Sequence, residues 1–348
     1  MMKAAKAILP FTRVMDTQDY LFLLGLSHVE FLTPREKLLL LEMLGSARSL
    51  FGLGLSDISR LLGRRLISKL WRPEELLRAA ERTQKTLTEN AIRSIFYTDA
   101  NYPPQLRHIY DPPVLLFLRG SLPDPEVPMA GIVGTRYPTG GAYVAAFRLG
   151  FDMGRAGVGV VSGLARGIDT AAHEGCLEAG GISVAVLGNG IDEVYPYSSR
   201  NVGMTLLARG GTIFSEYPPG VPPLRYHFPA RNRIISGLSR AVVVVQAPER
   251  SGALFTADYA LEQGRDLWVH AEGTSGASSG GTRRLAEAGA PVAARAADIL
   301  REWGVRSSDT ETHADAEDLP PGARMARMLE CEIDGSCALK GGETYWRR

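Results

Sequence analysis

The sequence predicts a doubly wound, mainly parallel α/β sheet preceded by a small all-helical domain. Three observations carry that reading. From Val114 onward, short apolar runs alternate with helical patterns. Runs such as Ala241-Val242-Val243-Val244-Val245 are apolar on both faces, as central parallel strands covered by helices on each side must be. Three strand ends run into glycine- or serine-containing loops that each carry an arginine: Gly134-Thr135-Arg136, Ser162-Gly163-Leu164-Ala165-Arg166-Gly167 and Arg250-Ser251-Gly252. Ligands of such sheets bind beyond the carboxyl ends of the strands, where backbone N–H groups and helix N-termini favour phosphate.

In chain order, leucine-rich segments at 21–26, 37–44, 58–70 and 73–87 predict helices, and the helical domain is placed at 1–90. Thr33-Pro34-Arg35-Glu36 reads as an N-cap, a proline at the first helical position and an acidic third residue. A short strand is expected at 92–98, turns at Asn101-Tyr102-Pro103-Pro104 and Asp111-Pro112-Pro113, and a buried strand at 114–118. Strands follow at 129–133, 157–161, 183–188, 211–216, 241–247 and 266–270. Helices alternate with them at 141–155, 168–179, 198–208, 232–238, 253–263 and 281–288, so the second domain covers 91–302. Residues 303–348 turn polar and acidic and read as a tail.

Composition excludes several classes. With 45% hydrophobic and 22% charged residues the chain is an ordinary globular protein, and no apolar stretch reaches the length of a membrane span. Lys3 and Lys6 are not followed by a signal-peptide core, and Cys176, Cys331 and Cys337 have no metal-ligand spacing, so a cytoplasmic protein without membrane attachment is expected. The net charge of +1 argues against a general nucleic-acid coat, though not against a focused basic groove. All 16 basic residues between 121 and 302 are arginine, which engages phosphate bidentately where lysine cannot. Arginine-favouring codons explain such a bias equally well, so the argument rests on the position of each arginine.

In the first loop, Gly134 admits a ligand to the backbone, Thr135 offers a hydroxyl and Arg136 a charge. In the second, Ser162, Gly163 and Gly167 leave backbone bare for a phosphate, and Arg166 either clamps it or points to solvent. Asp169, in the first turn of the next helix, orients Arg166 or caps the helix, and His173 on the same face reads as structural. Tyr226-His227-Phe228-Pro229-Ala230-Arg231-Asn232-Arg233 has the composition of a single-strand binding patch, with bases stacking on rings and arginines holding the backbone. The bland alternative buries Phe228 in the core and uses the arginines as helix caps. Ser251 and Gly252 complete the candidate set. No Ser-His-Asp order, His/Cys cluster, P-loop lysine or full G-x-G-x-x-G is present, so no enzyme is expected.

Taken in order, Tyr102-Pro103, Asp111-Pro112-Pro113-Val114-Leu115, Arg119-Gly120, Gly134-Thr135-Arg136, Ser162 to Asp169 with His173, Ala185-Val186-Leu187-Gly188, Tyr195-Pro196, Ser215-Glu216-Tyr217-Pro218-Pro219-Gly220, Phe228 to Ile235 and Arg250-Ser251-Gly252-Ala253-Leu254 resemble the DNA processing protein A (DprA/Smf) family over residues 95–302. The resemblance implies a Rossmann-like domain that binds single-stranded DNA and helps load RecA recombinase during DNA uptake and recombination. It implies a homodimer formed through that domain and no cofactor. Its DNA pocket would be Arg136, Ser162, Gly163, Arg166, Gly167, Phe228, Arg231, Asn232, Arg233, Ser251 and Gly252. The N-terminal helices match the family's SAM-like (sterile-alpha-motif-like) domain in position and leucine content, and a C-terminal winged helix is not expected. Departures fall at Gly141-Ala142, Ala271-Glu272 and Gly280-Gly281-Thr282-Arg283, so no site is carried onto those outer loops.

Two other readings share the phosphate-binding sheet: a nucleotide phosphoribohydrolase-like enzyme and a small-nucleotide sensor. The hydrolases need a glycine-rich motif with an assisting glutamate, and here Tyr259 stands in the glutamate's place.

Overall fold

The computed structural model describes residues 17–67, 69–305, 337–340 and 343–346. Five helices lead: α1 (Thr17–Ser27), α2 (Pro34–Leu44), α3 (Ala47–Phe51), α4 (Leu55–Leu62) and α5 (Pro73–Glu89). The Thr33 hydroxyl accepts the Glu36 N–H and the Glu36 carboxylate accepts the Thr33 N–H, so the expected capping box forms, and Gly45 ends α2 at φ 75°. The helix expected at 58–70 is shorter, because Gly63 turns left-handed at φ 66° and stops α4. Strands β1 (Arg93–Phe96) and β2 (Leu115–Gly120) form an antiparallel pair at the edge of the sheet.

The alternating region runs β3 (Met129–Val133), α6 (Gly140–Arg155), β4 (Gly159–Ser162), α7 (Ile168–Glu178), β5 (Ser183–Leu187), α8 (Arg200–Ala208), β6 (Thr212–Ser215), α9 (His227–Leu238), β7 (Ala241–Val244), α10 (Ala253–Glu262), β8 (Asp266–His270), α11 (Gly280–Glu287), β9 (Val292–Ala293) and α12 (Ala296–Glu302). The nine strands lie in the order β1-β2-β6-β5-β4-β3-β7-β8-β9, parallel from β6 to β9, with β2 antiparallel to β6. The doubly wound fold of the sequence reading is therefore the observed one. Strand order reverses at β3, which has β4 on one side and β7 on the other, so a crevice opens beyond the ends of β3 and β7.

Alternation along each strand feeds two cores. Ala241, Val243 and Val245 join α6, α7 and α12 on one face, while Val242 and Val244 meet α9 and α10 on the other. A third core ties the helical region to the sheet: Leu24 of α1 and Ala80 and Leu87 of α5 pack with Phe96, Leu115, Phe117 and Ile213. Helices α6 and α7 approach closely because a side chain at Gly150 or Gly175 would run into the carbonyls of Ala172 and Phe147 respectively.

Two further differences bear on the site and the tail. Helix α9 begins at His227, five residues before the expected 232, because Pro229 sits in the first turn, where its missing N–H is not needed. Trp303, read as the start of the tail, is buried behind α12 with the Arg240 guanidinium 4.9 Å from its ring centre. Gly304 and Val305 follow it, with Val305 against the same core, and the rest of the tail lies outside the described residues apart from an antiparallel hairpin, β10 (Cys337–Lys340) with β11 (Glu343–Trp346). Among the described residues no helix is long and apolar enough to cross a membrane.

Candidate nucleic-acid interface

The loops after β3, β4, β5 and β7 lie side by side at the carboxyl edge of the sheet, and the first turn of α9 sits among them. In the β3 loop, Gly134 has no room for a side chain: a Cβ would stand 2.6 Å from Ile168 and 2.9 Å from the Gln246 carbonyl. Thr135 donates its N–H to that carbonyl at 2.7 Å, and its hydroxyl accepts the Tyr137 N–H at 3.2 Å. Thr135 thus builds the loop and is buried. Arg136 is exposed, its guanidinium 5.6 Å from the centre of the Phe228 ring.

The β4 loop is wound around two buried charges. Ser162 is buried and donates to the Ile132 carbonyl at 2.6 Å. Leu164 is left-handed at φ 53° with its side chain in the core, a backbone strain of the kind that marks functional loops. Gly167 turns at φ 80°, where a Cβ would lie 2.6 Å from the Thr135 carbonyl. Asp169 accepts the Gly163 N–H at 3.1 Å. Burial pushes its carboxyl up, and the nearby Arg231 charge and the loop N–H groups pull it back. The expectation that Asp169 orients Arg166 fails: Arg166 is exposed and donates to Ser198 at 3.0 Å, while the charge facing Asp169 belongs to Arg231. His173 is fully buried, bonded to the Ser183 hydroxyl at 2.7 Å, and burial lowers it to about 3, so it is a neutral structural group.

Helix α9 supplies the floor. Phe228 is half-buried against Gly188, where a Cβ would lie 2.9 Å from the ring, and Tyr195 flanks it at 5.8 Å between centres. Arg231 is only 5% exposed. It donates to the Gly163 carbonyl at 3.0 Å, to the Val186 carbonyl, and through Nε to Asn232 Oδ1 at 3.2 Å. Burial lowers its pKa to about 10 even with Asp169 near. Asn232 then reaches the Gly252 carbonyl at 3.1 Å, joining the β4 and β7 loops. Ser251 turns its hydroxyl to the Ala253 N–H at 3.3 Å, while Gly252 is exposed with open space around it.

Arg233 does not belong to this surface. It is buried, donates to both Glu216 oxygens at 2.8 Å and lies 3.5 Å from Asp111. Residues two apart on a helix point in different directions, so Arg231 and Arg233 could not share one face.

The structure therefore brings Arg136, Phe228 and Arg231 together with the Gly163–Gly167 loop, and leaves Arg136, Arg166 and Arg250 as exposed guanidiniums on the same edge. It adds residues the sequence reading left out: Tyr137 at 79% exposure, Tyr195, and Tyr197 at 74% with Arg200 over its ring at 5.7 Å. Tyr195-Pro196 was visible as a motif, and its place just after β5 was the signal that it lines the same rim. Among the described residues no group of three or more His, Cys, Asp or Glu could hold a metal ion.

Comparison with known proteins places this edge in context. Residues 93–304 match the model of the family described as DNA recombination-mediator protein A. Protein Smf of Synechocystis is 47% identical over 174 residues, 49% of this chain and 44% of its own length. This chain thus spans less than half of that relative. DNA processing protein DprA of Streptococcus pneumoniae is 40% identical over 207 residues, 59% of this chain and 72% of that protein. The X-ray structure of the pneumococcal protein matches with a TM-score of 0.66 at 33% identity, covering 83% of this chain and 99% of that one. A Helicobacter pylori DNA processing protein A, solved to study its single-stranded DNA binding mode, matches with a TM-score of 0.54 at 27% identity, over 61% of this chain and 95% of that one. With residues 93–304 matching the family model and the fold matching the pneumococcal structure, the chain belongs to the DNA recombination-mediator protein A family, the DprA/Smf family that its motifs resemble.

Proposed function

We propose that this protein binds single-stranded DNA along the carboxyl edge of its sheet and acts as a recombination mediator that hands the strand to RecA recombinase as a homodimer. The observation that carries the reading is the half-buried Phe228 ring, held in place by Gly188 with Arg136 beside it and Tyr195 at its flank. A pinned ring with a guanidinium 5.6 Å from its centre gives one base a stacking platform and the adjoining phosphate a counter-charge. Arg166 and Arg250 extend the charge to either side, and Tyr137 and Tyr197 offer further rings. Single-stranded DNA exposes base faces to such rings, whereas duplex DNA keeps them stacked inside the helix.

Arg231 works from behind. Its guanidinium, spent on the Gly163 and Val186 carbonyls and facing Asp169, fixes the loop. Titration of a labelled oligo-dT and of duplex DNA tests the reading. Tighter binding to the single strand is expected, with weaker binding and a salt slope shallower by about 0.7 in Arg136→Ala. Equal affinity for the two DNAs, or no change in Arg136→Ala, refutes it. Light scattering with and without DNA tests the homodimer, and RecA filament formation on coated single strands tests the handover.

A further inference from the structure

Arg233 shares its sequence motif with Phe228 and Arg231 yet faces the helical region. Its bidentate partner Glu216 directly precedes Tyr217, which stacks on His227 at 3.9 Å between ring centres, and His227 is the neighbour of Phe228. Its second partner, Asp111, uses Oδ2 for Arg233 and Oδ1 to accept the Arg35 N–H at 2.8 Å, at the start of α2. A carboxylate at a helix N-terminus is favourably placed. Packing alone does not hold this seam: a cavity of about 360 Å³ lies between α2 and α9, walled by Lys37, Asp111, Glu216, His227 and Arg233 among others.

We propose that Asp111, Glu216 and Arg233 form a latch that couples the docking of α2 to the position of Phe228, making Arg233 a positioning residue for strand binding. The DNA half of this statement rests on the single-stranded DNA reading above. The chain of contacts runs from the α2 N-terminus through Asp111 and Arg233 to Glu216, Tyr217, His227 and the base platform. Coupling between sites is reciprocal, so α2 and the platform should loosen or tighten together.

Hydrogen exchange by mass spectrometry on the full chain tests this in Asp111→Ala and in Asp111→Asn, which keeps an oxygen for the Arg35 N–H. In Asp111→Ala, exchange should rise together in the α2 peptides and in the first turn of α9, with a smaller rise in Asp111→Asn. Oligo-dT affinity should fall about 5-fold or more at unchanged salt slope. Faster exchange in α2 alone, or wild-type affinity in Asp111→Ala, overturns the latch. A salt slope shallower by about 0.7 in Arg233→Met also overturns it, since that is the mark of a direct phosphate ligand. A wild-type protein that binds no oligo-dT defeats the DNA reading, while the exchange data taken without DNA still decide whether α2 and α9 are coupled.

Discussion

Gly163→Ala is the sharpest probe of how the rim is built. An added Cβ would stand 2.5 Å from Arg231 Nη2 and 2.7 Å from Cζ and Nη1, and Arg231 is already buried behind it. An exposed arginine would swing aside at little cost. This one must release the Gly163 and Val186 carbonyls, and Asp169 then loses the positive charge facing it. Hydrogen bonds to a charged group contribute about 1.5–3 kcal/mol each, and uncoupling a buried charge from its partner costs about 3–5 kcal/mol. These terms overlap, so a loss of about 3–4 kcal/mol is expected, measured by equilibrium urea unfolding. A double-mutant cycle isolates the cause: in an Arg231→Met background the methyl has no guanidinium to strike, and most of the cost of Gly163→Ala should vanish. If Gly163→Ala costs the same with and without Arg231, the account of the buried arginine is wrong.

Phe228→Leu keeps an apolar side chain against Gly188 but removes the ring face, so oligo-dT binding should weaken by about 1–3 kcal/mol with little change in salt slope; an unchanged affinity excludes base stacking there. Gly175→Ala drives a methyl into the Phe147 carbonyl and should destabilise the protein by about 2 kcal/mol or more, read by chemical unfolding. Acid should destabilise the fold through two histidines: burial lowers His28 to about 4 and His173 to about 3, so the unfolded chain binds more protons below the ordinary value of 6.5. Their contribution is complete above that value and disappears as pH falls toward 4 and then 3, about 3 kcal/mol from His28 alone, and unfolding midpoints that stay flat from pH 7 to 4 contradict it.

The strands were legible because a central parallel strand must be apolar on both faces, and Ala241 to Val244 or Ser183 to Leu187 admit no other place in a small protein. The start of α9 was not, since a proline inside Phe228-Pro229-Ala230-Arg231 suggests a break unless the residue is known to lie in the first turn. That one misplacement produced the error over Arg233. Had the helix been started at His227, the roughly 200° between positions two apart would have sent Arg231 and Arg233 to different faces. Which of them met the sheet edge still depended on Glu216 and Asp111, partners 17 and 122 residues away in sequence. Exposure was equally hidden: Tyr137 and Tyr197 are rings beside prolines in loops, a pattern that burial explains as readily as binding.

The motifs that place this chain in its family therefore mix two kinds of residue. Ser162, Thr135, Asn232, Ser251 and Asp169 direct polar atoms at backbone groups of the strands and loops around them. Each satisfies a backbone donor or acceptor that no helix or strand ladder pairs. Arg136, Arg166 and Phe228 have surface left over, and that is what a strand can touch. Arg231 belongs to the first kind although its charge suggests the second. Substituting it frees the Gly163 and Val186 carbonyls and should loosen the loop, so an affinity loss in Arg231→Ala does not identify a phosphate ligand unless the salt slope falls with it. Arg136 is exposed, so its removal should leave the fold intact, and it is the position at which affinity and slope should fall together.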